Sequence, residues 1–293
     1  MDLCSLAVVV LTYNEELNLP ACLASVQGLS PNLVVVDSGS TDRTLAIAAE
    51  YGAQIFSHPF EGHTRQWTWA LQQLGPGIEW VLGLDADQRL SMDLRAELVE
   101  LFTDGGSRLR THDGFYLNRR QIFRGQWIRH GGYYPKHLLK LFRLRKVRLD
   151  ERDLVDHHFY VSGKSGELRH DLIEDNRKEA DIAFWFSKHI GYAELHAREE
   201  LSRRRGGDRA WPIPPAFFGS PDQRVVWRKR LWYRMPLYAR PFVYFLYRYL
   251  VLGGVLDGKQ GFIFHFLQGF CYRLLVDIRL AELLARQSLR VES

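Results

Sequence analysis

"EWVLGLDADQRL", residues 79–90, is an apolar run that stops abruptly at two carboxylates, Asp85 and Asp87, with Ala86 between them. One explanation is conformational: Asp is a common turn residue, and a strand must end somewhere. The other is chemical. Two hard oxygen ligands at the end of a strand hold a divalent cation against a diphosphate. The segments on either side decide between them.

Upstream, the same arrangement occurs twice. "LAVVVLTYNE" (residues 6–15) is a β-branched apolar run, read as a buried strand with Tyr13, Asn14 and Glu15 at its C-terminal end. "NLVVVDSGSTD" (32–42) is a second such strand, closing in a polar turn that holds Asp37. Between them, "NLPACLASV" places Leu19, Leu23 and Val26 on one helical face, with Asn18 as expected N-cap and Pro20 tolerable in the first turn. "RTLAIAAEYG" predicts a helix with Asp42 as N-cap and Gly52 as terminator. A short strand at "AQIFSH", a helix over 65–73 and a helix at "SMDLRAELVELF" capped by Ser91 continue the alternation. Alternating apolar strands and helices predict a mostly parallel sheet covered on both faces, with its ligand beyond the carboxyl ends of the strands. Tyr13–Glu15, Asp37–Asp42 and Asp85–Asp87 all fall at such ends. This lifts the aspartates above a routine turn.

Residues 114–166 read as irregular β structure, and 176–206 as a charged helix ending in Arg203, Arg204 and Arg205. "WPIPP" (211–215) breaks helix. Beyond it the chain is dense in aromatics, leucine and arginine. Arg240, Arg248, Pro236 and Pro241 interrupt the longest apolar stretch, which argues against a clean span and for interfacial amphipathic helices. Packing against a partner subunit, a homo-oligomer, is the alternative for this tail. The expected division is a catalytic domain over 1–205 (nucleotide-binding part about 1–110, acceptor-binding part about 111–205) and a membrane-associating helical region over 206–293. Deletion from about residue 224 is expected to release the protein from membranes and leave some nucleotide binding.

The 293 residues are 46% apolar, ample for a core, and the formal charge is +5. Three scattered cysteines without zinc-type spacing fit a reducing cytoplasm, and the first residues lack a secretory start. Dinucleotide binding is excluded because no G-x-G-x-x-G follows the first strand. Nucleotidyl transfer normally uses a glycine- and basic-rich loop at that point, where this chain has the acidic "TYNEE". No nucleic-acid motif is visible, so nucleic acid is not an expected partner. A non-catalytic basic membrane binder is the rival of a different class.

Taken together, "VVVLTYNEELNLPACLASV", "LVVVDSGSTDRT" and "EWVLGLDADQRL" resemble the signature segments of family 2 glycosyltransferases, which have the GT-A fold. "RGQWIRHGGYYPKHLLKLF" and "GGVLDGKQGF" resemble the bacterial branch related to lipopolysaccharide core β-glucosyltransferases. The resemblance spans roughly residues 5–280. It implies inverting transfer from a nucleotide sugar, expected to be UDP-linked, with Mg²⁺ or Mn²⁺, at the cytoplasmic face of the inner membrane. It further implies that Thr12, Tyr13 and Glu15 contact the nucleotide, Asp37 the uracil or ribose, Asp85 the ribose or metal, and that Asp87 ligates the metal. Arg65 is a donor-pocket candidate. An acceptor platform of Trp127, Arg129, Tyr133 and Tyr134 would receive a glycolipid or polysaccharide, either lipid A core or a polyprenyl-linked precursor.

Three positions depart from the branch. Asp156-His157 stands where a His-Glu pair is usual; Asp156 is the preferred base and His157 the second, since either type can take a proton from the attacking hydroxyl. Lys140 replaces an arginine, keeping a point charge for phosphate but losing the bidentate fork. Gln88 replaces an acid after the D-x-D.

Overall fold

A computed structural model of the chain describes residues 3–103, 107–155, 158–206, 211 and 213–291. Two compact units divide it. The first comprises Met1–Trp127, Tyr133–Glu151 and Asp156–Ala180; the second comprises Ile128–Gly132, Arg152–Val155 and Asp181–Ser293. The division at residue 180 assigns the long charged helix to the second unit, whereas the sequence boundary at 205 follows that helix's arginine-rich end.

The first unit is built on a nine-stranded sheet. Its strands in chain order are β1 (Leu6–Thr12), β2 (Asn32–Asp37), β3 (Gln54–Ser57), β4 (Trp80–Asp85), β5 (Gln88–Leu90), β6 (Gly114–Phe123), β7 (Gln126–Ile128), β8 (His137–Arg143) and β11 (Ser165–Asp175). A separate antiparallel pair joins β9 (Val147–Arg148) to β10 (Tyr160–Val161). The spatial order is β3-β2-β1-β4-β8-β6-β11-β5, with β7 beside β6. The expected parallel arrangement holds for β3, β2, β1 and β4. Beyond β4 the sheet is mixed: β8 is antiparallel to both β4 and β6, β11 is parallel to β6, and β5 is antiparallel to β11. Crossover helices explain the difference. A parallel neighbour needs such a crossover, and α1 (Leu19–Val26), α2 (Thr44–Glu50) and α3 (His63–Gln72) each follow one of β1–β3.

Alternation along β1 fixes the two faces. Leu6, Val8 and Val10 join Leu23 of α1 and Leu94, Leu98 and Phe102 of α4 (Met92–Thr103). Ala7 and Val9 join Val81, Trp67 of α3 and Phe159. Ser91 caps α4 as expected, accepting the Leu94 N–H at 3.1 Å. Asn18 stands at the N-cap position of α1 as expected, but its side chain makes no cap bond. Its amide donates to Glu15 and Asn176, and its oxygen accepts the Arg177 N–H, so long-range bonds take the groups a cap would use.

The second unit is helical: α6 (Ile182–Gly206), α7 (Pro221–Arg234), α8 (Ala239–Leu246), α9 (Gly258–Phe264) and α10 (Tyr272–Val291), with π turns at Tyr247–Val251 and His265–Cys271. A capping box of Ser220 and Gln223 starts α7. Arg240 is fully buried and bonds Glu200 of α6 at 2.8 and 3.0 Å and Asp277 of α10 at 2.8 Å. Glu199 takes Lys229 at 3.2 Å, and Arg203 takes Asp153 at 2.6 Å. Among the described residues no helix is long and apolar enough to cross a membrane.

Candidate active site at the strand ends

Register brings the three polar clusters together. Thr12 lies opposite Asp37 on one side of β1, and Leu11 lies opposite Asp85 on the other. With neighbouring strands about 4.8 Å apart, the two aspartate backbones stand about 10 Å apart across β1, a span suited to a nucleoside diphosphate.

Asp37 is 1% exposed, and both its oxygens are engaged. One accepts the Gly39 and Ser40 N–H groups at 2.9 and 2.8 Å; the other accepts the Thr12 and Ser40 hydroxyls at 3.0 and 2.5 Å. The carboxylate thus shapes the loop after β2. Asn14, in left-handed conformation (φ 52°), accepts the Thr41 N–H and donates its own N–H to the Ser40 hydroxyl, both at 2.8 Å. Tyr13 stands exposed at the rim of this stitched pair of loops.

On the other side of β1, Asp85 pairs with Lys140 of β8 at 2.9 Å. Gln88 accepts the Asp85 N–H at 3.1 Å and donates to Glu174 at 2.8 Å, so the amide that replaces an acid holds the D-x-D turn to β11. The Asp87 carbonyl accepts the Asp175 N–H at 2.9 Å, while its side chain stays half-buried. Glu15 takes Lys178 at 2.6 Å and the Asn18 amide at 2.8 Å. Beneath these groups lies the buried Cys22. Burial, then the negative charges of Asp87, Asp85 and Glu15, pushes its thiol far up, with Lys140 opposing weakly. One buried sulfur therefore feels carboxylates from both the β1 and β4 ends.

Among the described residues, no three His, Cys, Asp or Glu side chains gather to hold a metal by themselves. The donor set still fits Mg²⁺ or Mn²⁺. Such ions are commonly held by one or two carboxylates plus substrate phosphates and waters, so a single strand-end carboxylate such as Asp87 is compatible with one.

Other candidates are spread around the first unit. Arg65 lies exposed on α3 in an ion pair with Glu61 at 3.0 Å. Trp127 meets Tyr134 edge to face at 5.1 Å, with the Arg120 guanidinium 4.6 Å over its ring. The Tyr134 hydroxyl donates to Asp171 at 3.1 Å, and Tyr133 beside it is half-buried. In the second unit, Arg129 is exposed, and its N–H and that of His130 donate to Asp257 at 3.2 and 2.9 Å. The His130 ring bonds the same carboxylate at 2.7 Å. Gly131 sits in the left-handed region (φ 66°); its N–H donates to the Leu252 carbonyl, and Arg248 donates to its carbonyl. Asp156 and His157 lie outside the described residues. Asp153, another acid of that segment, is held by Arg203. Lys178 and Asn176 escaped the sequence reading, since their partners lie about 160 positions away and no local motif marks them.

Several known proteins are similar. An uncharacterized glycosyltransferase of Rickettsia prowazekii is 35% identical over 94 residues, 32% of each chain. The lipopolysaccharide core biosynthesis glycosyltransferase LpsC of Rhizobium meliloti is 30% identical over 174 residues, 56% of this chain and 60% of that protein. The match thus spans about a third of the length of the rickettsial relatives. The fragment of S. aureus TarS solved by crystallography aligns over 97% of this chain and 91% of its own, at 16% identity and a TM-score of 0.42. The family described as glycosyl transferase family 2 matches residues 7–169.

Proposed function

The chain belongs to glycosyl transferase family 2, and from that premise we propose that it transfers a sugar, with inversion, from a UDP-sugar to a lipid-linked or lipopolysaccharide-core glycan at the inner face of a bacterial membrane. The observation that carries the reading is the alignment of three polar strand ends around β1, with Asp37 and Asp85 on its two flanks. Tyr13 offers an exposed ring to the base, and the loop shaped by Asp37 and Thr12 meets base and ribose. Asp85, fixed by Lys140, faces the ribose. Asp87 holds the cation, which when bound supplies positive charge to the departing diphosphate. Lys140 and Lys178 hold the flanking carboxylates Asp85 and Glu15 in place. Asp156, with His157 as second choice, takes the acceptor proton. Arg65 borders the donor. Trp127, Tyr133, Tyr134 and Arg129 meet the acceptor. The likeness to LpsC supports the acceptor class.

Calorimetric titration of UDP, with and without Mn²⁺, into the wild type and Asp87→Ala tests this. Binding that weakens roughly tenfold or more on removing either the metal or the carboxylate is expected. If UDP, GDP and dTDP all fail to bind the wild type, the carboxylates are only a turn and the enzyme reading falls.

A further inference from the structure

The second unit carries an apolar surface that its own packing leaves uncovered. From Ala239 to Leu256 every exposed side chain is apolar or a tyrosine, and Val251 and Leu256 near the tip are 72% and 71% exposed. The segment rises through α8 and its π turn, reverses at a 3-10 turn (Gly254–Asp257), and returns through α9. Aromatic contacts seam the two arms: Phe245 meets Phe262, Phe266 and Phe270, and Tyr249 meets Phe262. Phe262 and Phe266 are themselves 46% and 38% exposed, so the apolar surface continues onto the returning arm.

In the sequence, Arg240 and Arg248 interrupt this run. In the structure both turn inward. Arg240 is fully buried against Glu200 and Asp277, and Arg248 bonds the Gly131 carbonyl at 2.5 Å and the Tyr244 hydroxyl. The outer surface is therefore unbroken by charge along the rising arm. The chain that leads into it is cationic. Residues 224–256 contain seven arginines and lysines and no acid. Arg224, Arg228 and Arg234 are exposed, as is Lys259 just past the tip, whereas the nearby carboxylates Asp257 and Asp277 are buried.

We propose that the hairpin tip around Leu250–Leu256, with the apolar faces of α8 and α9, inserts into the headgroup–acyl boundary of an anionic bilayer. The apolar tip supplies the inserted area and the basic flank the attraction to acidic headgroups. Association of two copies through this surface would set like charges against each other, which disfavours that occupant. The proposal rests on the reading of the chain as an enzyme with a membrane-borne acceptor, and it names the surface that meets the lipid.

The test is co-sedimentation of the full chain with vesicles of phosphatidylcholine alone and of phosphatidylcholine with phosphatidylglycerol, alongside UDP titration. Wild type should bind the anionic vesicles, less so at high salt. Val251→Glu combined with Leu256→Glu should weaken that binding roughly tenfold or more. Leu250→Ser with Leu256→Ser serves as a second, milder variant, and both should keep the wild-type melting temperature and UDP affinity because the altered side chains are exposed. Equal sedimentation of wild type and both variants overturns the proposal. So does a wild type that ignores anionic vesicles, or one that forms a dimer that the variants dissociate. Loss of UDP binding with vesicle binding intact would instead strike the donor reading and leave the surface standing.

Discussion

Asp37 shows how one side chain can matter more to its own loop than to a ligand. Its four accepted hydrogen bonds exhaust the ordinary capacity of a carboxylate. Asp37→Ala removes the acceptor of the Gly39 and Ser40 N–H groups and of the Thr12 and Ser40 hydroxyls, in a loop that water partly reaches, and should cost about 2 kcal/mol in urea unfolding. Asp37→Asn should cost only about 1 kcal/mol, because the Thr12 and Ser40 hydroxyls can rotate to accept from its amide. A similar loss in both variants would contradict this account. The sequence made Asp37 conspicuous by position, at the end of an apolar strand. It could not show how many partners the carboxylate has. Lys140 and Lys178 illustrate the same limit: a basic residue is visible in the sequence, but its pairing with Asp85 or Glu15 exists only after strands distant in the chain come together.

Element by element, the apolar strands β1, β2 and β4 were legible because buried parallel strands carry little else, whereas β11 was not. It alternates poorly and is full of charge, and its pairing with β6 shifts register between Glu167 and Asp171. Arg119 and Arg120 of β6 pair with Glu174 and Asp171 across the two strands, so the charges of β11 are paired within the sheet. The bulge leaves the Arg169 and His170 N–H groups to find other partners, and Glu97 of α4 accepts both at about 3 Å. Burial alone would raise the Glu97 carboxyl, but the bonds from Arg169 and His170 hold it below its ordinary 4.5. A depressed carboxyl contributes stability above its unfolded value and loses it as pH falls through the lower folded value. Glu97→Gln should therefore lower stability by about 1–3 kcal/mol at pH 7. The gap between variant and wild type should close as pH drops below about 4.5, read from melting temperatures across that range. A gap that stays constant to pH 3 would sink the bulge-cap role.

At the scale of the whole molecule, the chain visits its second unit early. Residues 128–132 and 152–155 belong there although the residues around them belong to the first. The sequence reading placed one boundary near 205 because composition changes along the chain, and composition carries no sign of a five-residue excursion. Removing everything from Arg224 onward would take Lys229 from Glu199, Arg240 from Glu200 and Asp257 from the backbone of Arg129 and His130. Glu199 and Glu200 keep Arg203 and Arg204 but each loses a second cation, and the Arg129 and His130 N–H groups lose their acceptor. Such a truncation should therefore be less stable, with Arg129 open to trypsin. Limited proteolysis that cuts full-length and truncated chains at Arg129 at equal rates would refute this. All of these bonds lie within the second unit, so the loss falls there first.

The Asp257 clasp also orders events in time. A ribosome delivers Arg129 well before the carboxylate that secures it, 128 positions later. At about 5–20 residues per second the delay is about 6–25 s. Throughout that interval β1, β2 and β4 are complete, yet the Arg129–Gly131 loop lacks its fastening. The final set of that loop thus waits for the C-terminal segment to emerge.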